Sequence, residues 1–368
     1  MSRSCWQRGV GIIVHRVVPR QRRPKNLHAR AFADTPSFRR FAIIGGVQPD
    51  VSVIIPAYRA AADIRVALDS VFAQTFTNFE VIVVNDGSPD APQLRAALEP
   101  YAGRISYVEL PVNRGAAVAR NTGILRARGR FVAFLDADDR WFATFLARQV
   151  AYLEANESCA LVYADAVVSG ESALAGQTFM EGAPSNGDVT LASLIEQRCN
   201  VILSTVVIRR DPLVRAGMFD EGLRRGQDFD LWLRLALRGS PMAYQRVVLA
   251  ERQVRASGSP GDAVAELERA LNVLDRFSNR YLLDAPARTA VRIRMMQLVD
   301  RLEIEQGKRR ILEGNFAAAQ YHLSAARERP LKLRLALMAL RVAPRLVRAI
   351  YVRAYPPSWR PALATSSR

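Results

Sequence analysis

Phe131-Val-Ala-Phe-Leu-Asp136-Ala-Asp138-Asp139 runs from five apolar residues straight into three carboxylates within four positions. The run Arg130–Leu135, apolar from Phe131 onward and without helical spacing, predicts a buried strand ending where the acids begin. Carboxylates packed so closely repel one another, and a divalent cation removes that repulsion; hard oxygen ligands suit Mg2+ or Mn2+. Such a cation could in turn hold a diphosphate.

Working outward, strands and helices alternate. Val51-Ser-Val-Ile-Ile, stopped by Pro56, predicts a buried strand, followed by a helix over Ala60–Phe72 with apolar residues at Ile64, Leu68, Val71 and Phe72. Glu80–Val84 predicts a second strand, ended by Asn85-Asp86-Gly87-Ser88. A helix over Leu94–Tyr101, a strand over Ile105–Leu110 and a helix over Ala116–Arg128 follow. Strands are also expected at Leu161–Asp165 and Val201–Ile208, and a helix opening at Gly226-Gln-Asp-Phe-Asp. Fully apolar strands alternating with helices imply an α/β fold with a mostly parallel, Rossmann-like central sheet covered on both faces. Ligands bind such sheets at the carboxyl ends of the strands, so Pro56-Ala57-Tyr58, Asp86 and Asp136/Asp138 should share one crevice.

The net charge of +17 is unevenly spread: residues 1–50 hold ten Lys/Arg against two Asp/Glu, and 331–368 hold eight against none. The middle is near neutral. No nucleic-acid motif accompanies the charge, so no nucleic-acid partner is expected. Residues 1–46 read as a basic, disordered leader, and the abrupt start of folded sequence near Val47 raises an upstream misassignment of the start. The α/β domain is placed at 47–258, a helical extension with a weak tetratricopeptide-like pattern at 259–330, and a basic amphipathic helix and tail at 331–368. That helix suits either packing on its neighbour or peripheral contact with an anionic membrane. Residues 170–188 read as a mobile loop. Cys5, Cys159 and Cys199 make no disulfide or metal pattern, which fits a reducing cytoplasm, and neither a signal peptide nor a membrane span is recognised. His15, His28 and His322 lie outside the proposed core and leave metal binding to carboxylates.

Val53-Ile-Ile-Pro-Ala-Tyr58, Ser70-Val-Phe-Ala-Gln-Thr75, Glu80-Val-Ile-Val-Val-Asn-Asp-Gly-Ser88, Asn113-Arg-Gly, Ala119-Arg-Asn-Thr-Gly123 and Phe134-Leu-Asp-Ala-Asp-Asp139 follow one another in the order of one family. Over roughly 51–250 the chain resembles a family 2 glycosyltransferase. The resemblance implies a GT-A fold with an α-helical C-terminal extension and a nucleotide-diphospho-sugar donor, UDP-sugars being commonest. It implies that Pro56, Ala57 and Tyr58 line the base pocket, that Asp86 hydrogen-bonds the base, and that Asp136 and Asp138 form the DxD-type motif, meeting ribose and Mn2+ or Mg2+. The family's base is the Asp of a Glu-Asp pair, here Gln227-Asp228 with Trp232 following. The Gln puts acceptor contacts in doubt. Arg120 is a candidate for neutralising diphosphate, and Thr205 for the acceptor side.

Each residue also has a structural reading. Asp228 could be a first-turn acid favoured by the helix dipole, as could Asp230. Asp136 and Asp138 could be a solvated turn, Asp86 an ordinary Asp-Gly turn, Tyr58 core, Arg120 an ion-pair partner and Thr205 packing. Asp139 could cap a helix starting near Trp141. The expectation is a metal-dependent, inverting glycosyltransferase acting on a glycan or lipid-linked acceptor of surface polysaccharide. No Gln-x-x-Arg-Trp follows Trp232, so few sugars per acceptor are expected. A nucleotidyltransferase would need a Gly-rich basic loop where Pro56-Ala-Tyr-Arg-Ala-Ala stands. A non-catalytic nucleotide-sugar-binding scaffold, recruiting partners through its helices, stays open through Gln227.

Overall fold

The computed structural model describes residues 48–171, 175–254 and 260–354; the expected leader and the tail past 354 lie outside them. Strands β1 (Val51–Ala57), β2 (Phe79–Asn85), β3 (Ile105–Glu109), β4 (Phe131–Phe134), β5 (Arg140–Trp141), β6 (Leu161–Gly170), β7 (Val207–Arg209) and β8 (Met242–Val254) form one sheet in the order β3-β2-β1-β4-β7-β6-β8-β5. Pairings β3-β2, β2-β1, β1-β4 and β6-β8 are parallel, while β7 and β5 run against their neighbours. The sheet is therefore mostly parallel, as its continuous apolar strands require.

The two-residue period of each strand sorts the core into two layers. Val51, Val53, Ile55, Val81, Val83, Phe131, Ala133 and Leu135 share one layer with helices α1 (Ile64–Phe72), α2 (Ala91–Leu98) and α4 (Phe145–Ala155). Ile54, Ile82, Val84, Val132 and Phe134 face the other, which takes in α3 (Ala116–Arg126), α6 (Leu191–Ile195) and α8 (Gln227–Leu237). Gly123 lets α3 approach, since a Cβ there would lie 2.5 Å from Ile54 Cγ2.

Several boundaries differ from the expectation. α1 starts at Ile64, because Ala60–Asp63 forms a turn in which Ala60 O accepts from Asp63 N. α2 starts earlier, at Ala91, and ends at Leu98; Glu99–Tyr101 tightens into a 3-10 turn. Asp139 caps no helix: Arg140–Trp141 pairs with Ala250–Glu251, and α4 begins only at Phe145. The 170–188 stretch contains α5 (Phe179–Gly182), closed by a reciprocal Thr178–Glu181 capping box. β8 lies where no strand is expected; Arg246, Glu251 and Arg252 interrupt its apolar pattern.

After α7 (Arg210–Arg215) and α8, the chain continues as α9 (Pro260–Arg280), α10 (Ala285–Leu312), α11 (Phe316–Ala325), α12 (Leu331–Val342) and α13 (Pro344–Ala354). Gly307 admits Leu323 between α10 and α11, a Cβ there falling 2.5 Å from Leu323. The basic amphipathic helix expected within 331–368 is two helices, broken at Ala343-Pro344, since Pro cannot continue the hydrogen-bond ladder. Ile311, Ala319, Leu323, Leu333, Leu337 and Leu340 build a separate small core.

Candidate functional site

The exits of β1 and β2 are tied together. Asp86 N donates to Ala57 O at 2.9 Å, and the Asp86 carboxylate is clamped by Arg114 N–H and Gly115 N–H, each at 2.8 Å. Ser88 N donates to Asn85 Oδ1 at 2.9 Å, and Arg59, at φ +53°, donates its N–H to Ser88 Oγ at 2.6 Å. Asp86 is thus buried and belongs to a two-loop lock rather than an isolated turn. Pro56 is half-buried and Ala57 buried. Tyr58 is no core residue: its side chain is exposed at the mouth, with the Arg59 guanidinium 5.5 Å from its ring.

At the exit of β4, Arg120 of α3 is buried and donates Nη2 to Asp136 Oδ1 at 2.6 Å. Its Nε is buried with no hydrogen-bond partner among the described residues, and its guanidinium carbon lies 5.5 Å from the Phe219 ring. Asp136 and Asp138 are half-buried. Asp139 is buried behind them, accepting from Ser204 Oγ and from Gln253 N. Its own burial, with the negative charge of Asp136 added, pushes its carboxyl up to about 7. Ser204 also accepts from Asp136 N at 3.2 Å, and Trp141 Nε1 donates to Ser204 O at 2.6 Å. No set of three or more His, Cys, Asp or Glu side chains among the described residues forms a closed metal cage. Two hard carboxylates at an open strand exit instead match Mg2+ or Mn2+ held by one or two carboxylates plus phosphate oxygens.

The helix expected to carry the base is α8. Gly226 precedes it at φ +74°, and a Cβ there would meet Val273 Cγ2 at 2.9 Å and Arg269 Cγ at 3.2 Å, so α9 packs on this corner. The two first-turn acids separate clearly. Asp230 is buried and paired with Arg234 at 2.8 Å, whose guanidinium also holds the Ala216 and Met218 carbonyls. Asp228 stays half-exposed.

The acceptor-side candidates are placed less openly. Gln227 is buried; Trp232 is buried in the core, its Nε1 without a hydrogen-bond partner among the described residues. Thr205 is fully buried, donating Oγ1 toward Ala164 O and Ile202 O, both at 2.9 Å. Its hydroxyl is spent on backbone.

Other residues with no role expected from the sequence join the site, Asn121 among them although it lies in the Ala119–Gly123 motif. Asn121 of α3 donates to Phe219 O and Glu221 Oε1 and accepts from Phe219 N, fastening the loop before α8. Asp220 in that loop accepts from Gly222 N at 2.8 Å and meets Arg276 and Arg280 of α9 at 3.2 and 3.0 Å. Burial pushes the Asp220 carboxyl up, but the Gly222 N–H and the two guanidinium groups outweigh it and hold it below the usual range. A pocket of about 230 Å³ is lined by Asp165, Met180, Ser185, Asn186, Tyr244 and Arg246. Register sets Leu161 level with Val132 through Ile208, so Asp165 stands level with Asp136 at the carboxyl end of the sheet. A larger cavity, about 510 Å³, opens at the opposite end among Arg128, Arg130, Arg209 and Arg210 and takes no part in this convergence.

Residues 52–213 match the family described as glycosyl transferase family 2. The chain is 30% identical over 228 residues to the Escherichia coli UDP-Glc:alpha-D-GlcNAc-diphosphoundecaprenol beta-1,3-glucosyltransferase WfgD, covering 62% of this chain and 86% of that protein. It is 33% identical to the Bacillus subtilis putative teichuronic acid biosynthesis glycosyltransferase TuaG, over 55% of this chain and 79% of the relative. Among solved structures, Staphylococcus aureus TarS 1-349 in complex with UDP superposes with a TM-score of 0.52 at 20% identity, covering 83% of this chain and 92% of that one. A Pyrobaculum calidifontis mannosyltransferase in complex with GDP-Man and Mn2+ gives 0.54 at 20% identity, over 83% and 85% of the two chains. At that identity the likeness carries the GT-A fold alone.

Proposed function

The chain belongs to glycosyl transferase family 2, and on that premise we propose that it transfers one sugar from a nucleotide-diphospho-sugar to a lipid-linked or glycan acceptor, with inversion and with a divalent cation. The observation that carries the donor side is the pairing of buried Arg120 with Asp136, beside Asp138 and opposite the clamped Asp86. A buried guanidinium with an orphaned Nε has donor capacity left for diphosphate oxygens. Pro56, Ala57 and Tyr58 then form the wall of the base pocket, with the exposed Tyr58 ring free to lie against a base.

Asp138, with Asp136, would hold Mn2+ or Mg2+, and the bound cation would supply positive charge to the departing diphosphate. Asp228 takes the proton of the acceptor hydroxyl as that oxygen bonds to C1 of the sugar and the C1–O bond to diphosphate breaks. One base and direct displacement give inversion. Asp230 is committed to Arg234, which leaves Asp228 for this role. Thr205 and Trp232 act through packing, and buried Gln227 shapes the helix start. The acceptor side is better matched by the Asp165–Asn186–Tyr244–Arg246 pocket, whose aromatic face and polar groups suit a sugar. UDP-glucose and a diphosphoundecaprenol acceptor are named for WfgD, which favours a UDP-sugar donor and an acceptor presented at a membrane surface.

Calorimetry with a panel of nucleoside diphosphates, with and without Mn2+, tests the donor site. Metal-dependent binding of one nucleotide, lost in Asp138→Ala, is expected. Equal binding by the variant removes Asp138 from the metal site.

A further inference from the structure

Helix α12 is apolar on two sides. Leu333, Leu337 and Leu340 are buried in the small C-terminal core against Ile311, Ala319 and Leu323. Leu331, Leu335, Met338 and Val342 are instead 55 to 86% exposed. At 3.6 residues per turn these four fall within about 60° of one another, in a stripe roughly 17 Å long. Lys332 flanks the stripe on one side, Arg334 and Arg341 on the other, and all three are exposed. α13 repeats the pattern in short form: Val347 is buried while Leu346 and Ile350 are exposed, beside exposed Arg345 and Arg353. None of these five cations pairs with a carboxylate among the described residues; Arg334 donates only to the Arg329 carbonyl. From Pro330 to Arg368 the sequence contains no Asp or Glu.

Core packing explains the inner face and leaves the outer one unaccounted for. An aliphatic stripe edged by unpaired cations has a specific complement: a hydrocarbon boundary overlaid by negative charge. We propose that the outer face of α12, extended by α13, docks on a bilayer carrying anionic phospholipids. The helices lie in the plane of the interface, since no helix among the described residues is long and apolar enough to cross it. Leu331, Leu335, Met338 and Val342 enter the acyl boundary, while the Lys and Arg stems run along it and set their charges among the headgroups. A second copy of the chain is a poorer occupant, because it would bring like charges together. The surface deepens the reading of a membrane-presented acceptor and rests on it for its purpose alone, because docking is measured without turnover.

The test is co-sedimentation of the full chain with phosphatidylcholine vesicles, with and without phosphatidylglycerol. Wild type is expected on the anionic vesicles only, with binding falling as salt rises. Leu335→Glu/Met338→Glu should lower partitioning by at least about tenfold, with nucleotide binding and melting unchanged. Arg341→Gln/Arg345→Gln should weaken anionic binding and reduce its salt dependence, and serves if the first variant misfolds. Absence of wild-type binding overturns the proposal. So does full binding by both variants, which would place the contact on the other basic end of the chain. A wild-type dimer dissolved by the Glu substitutions would assign the stripe to self-association and overturn it equally.

Discussion

Gly87→Ala tests the lock around Asp86, at the proposed donor site. Gly87 has φ +59°, and an added Cβ would stand 2.3 Å from Val112 C, 2.5 Å from Asn113 N and 2.6 Å from Val112 Cα. All three are backbone atoms, so no rotamer change relieves the clash. The left-handed conformation alone costs about 1–2 kcal/mol for a residue with a Cβ, and forced overpacking adds roughly 1–3 kcal/mol. The 112–115 segment is also the one whose Arg114 and Gly115 N–H groups clamp Asp86. Relief of the clash therefore pulls those donors off the carboxylate. The expected result is a loss of about 2–5 kcal/mol in urea unfolding, by the same two terms, together with loss of nucleotide binding in calorimetry. Asp86→Asn serves as the comparison: it keeps the backbone space and weakens the clamp alone. A Gly87→Ala protein that unfolds within about 1 kcal/mol of wild type and binds nucleotide normally would refute both the close approach and its role.

Asp228→Asn should lower turnover by about 10²–10⁴-fold, the usual range for a general base, while nucleotide affinity stays at the wild-type value in calorimetry; Asp230→Asn should instead lower the melting temperature, because it strands the buried Arg234. Asp139 makes the metal-free protein pH-sensitive. Its folded carboxyl is raised from 3.8 to about 7, so its stabilising contribution is full below about pH 4 and lost as pH rises through 7. The melting-temperature difference between Asp139→Asn and wild type should grow in the variant's favour across that window; a constant difference would discount the burial. For the Asp220–Arg276 pair, a double-mutant cycle with Asn and Gln should give a coupling of about 0.5–1 kcal/mol after solvent screening. Asp220→Asn should also lower kcat more than it raises KM, because the loop it fastens leads into α8, whose Asp228 is the proposed base. Unchanged kcat would make the pair a surface ornament.

Most of the donor half was legible because its strands are buried on both faces. Continuous apolar runs such as Val51–Ile55 and Glu80–Val84 have few alternatives to a parallel sheet, and the polar residues at their ends had to meet at one edge. The second half obeys weaker rules. β8 mixes Arg and Glu into a strand half open to solvent, so neither period nor propensity marks it. A helix cap is open to Asp139 in the sequence because local sequence cannot show that Gln253, more than a hundred residues away, supplies its N–H donor. Thr205 and Trp232 stood in the right order along the chain, yet tertiary packing buries both. The C-terminal helix posed a choice between packing and membrane contact that periodicity could not resolve. In the structure one face of α12 is packed, and the opposite face, with Leu331, Leu335, Met338 and Val342, is exposed.

The helical extension is more than an appendage in this geometry. Its helix α9 touches the loop before α8 at two kinds of contact: Arg276 and Arg280 hold Asp220, and Val273 and Arg269 close over Gly226. From the other side the same loop is held by Asn121 of α3, and its Arg224 reaches Asn113, next to the segment that clamps Asp86. The loop thus spans from the segment that clamps Asp86 to the extension, with the start of α8, which carries Asp228, between them. A half-exposed Asp at the first turn of a helix gains catalytic precision only if that turn is fixed, since misplacement by about 1 Å can cost 10²-fold in rate. Fixing it from the sheet side alone would leave one edge of the loop free. The ion pairs from α9 supply the second anchor, and the outward face of α12, beyond α10 and α11 in the same extension, would set that anchored loop above the bilayer on which we propose it docks.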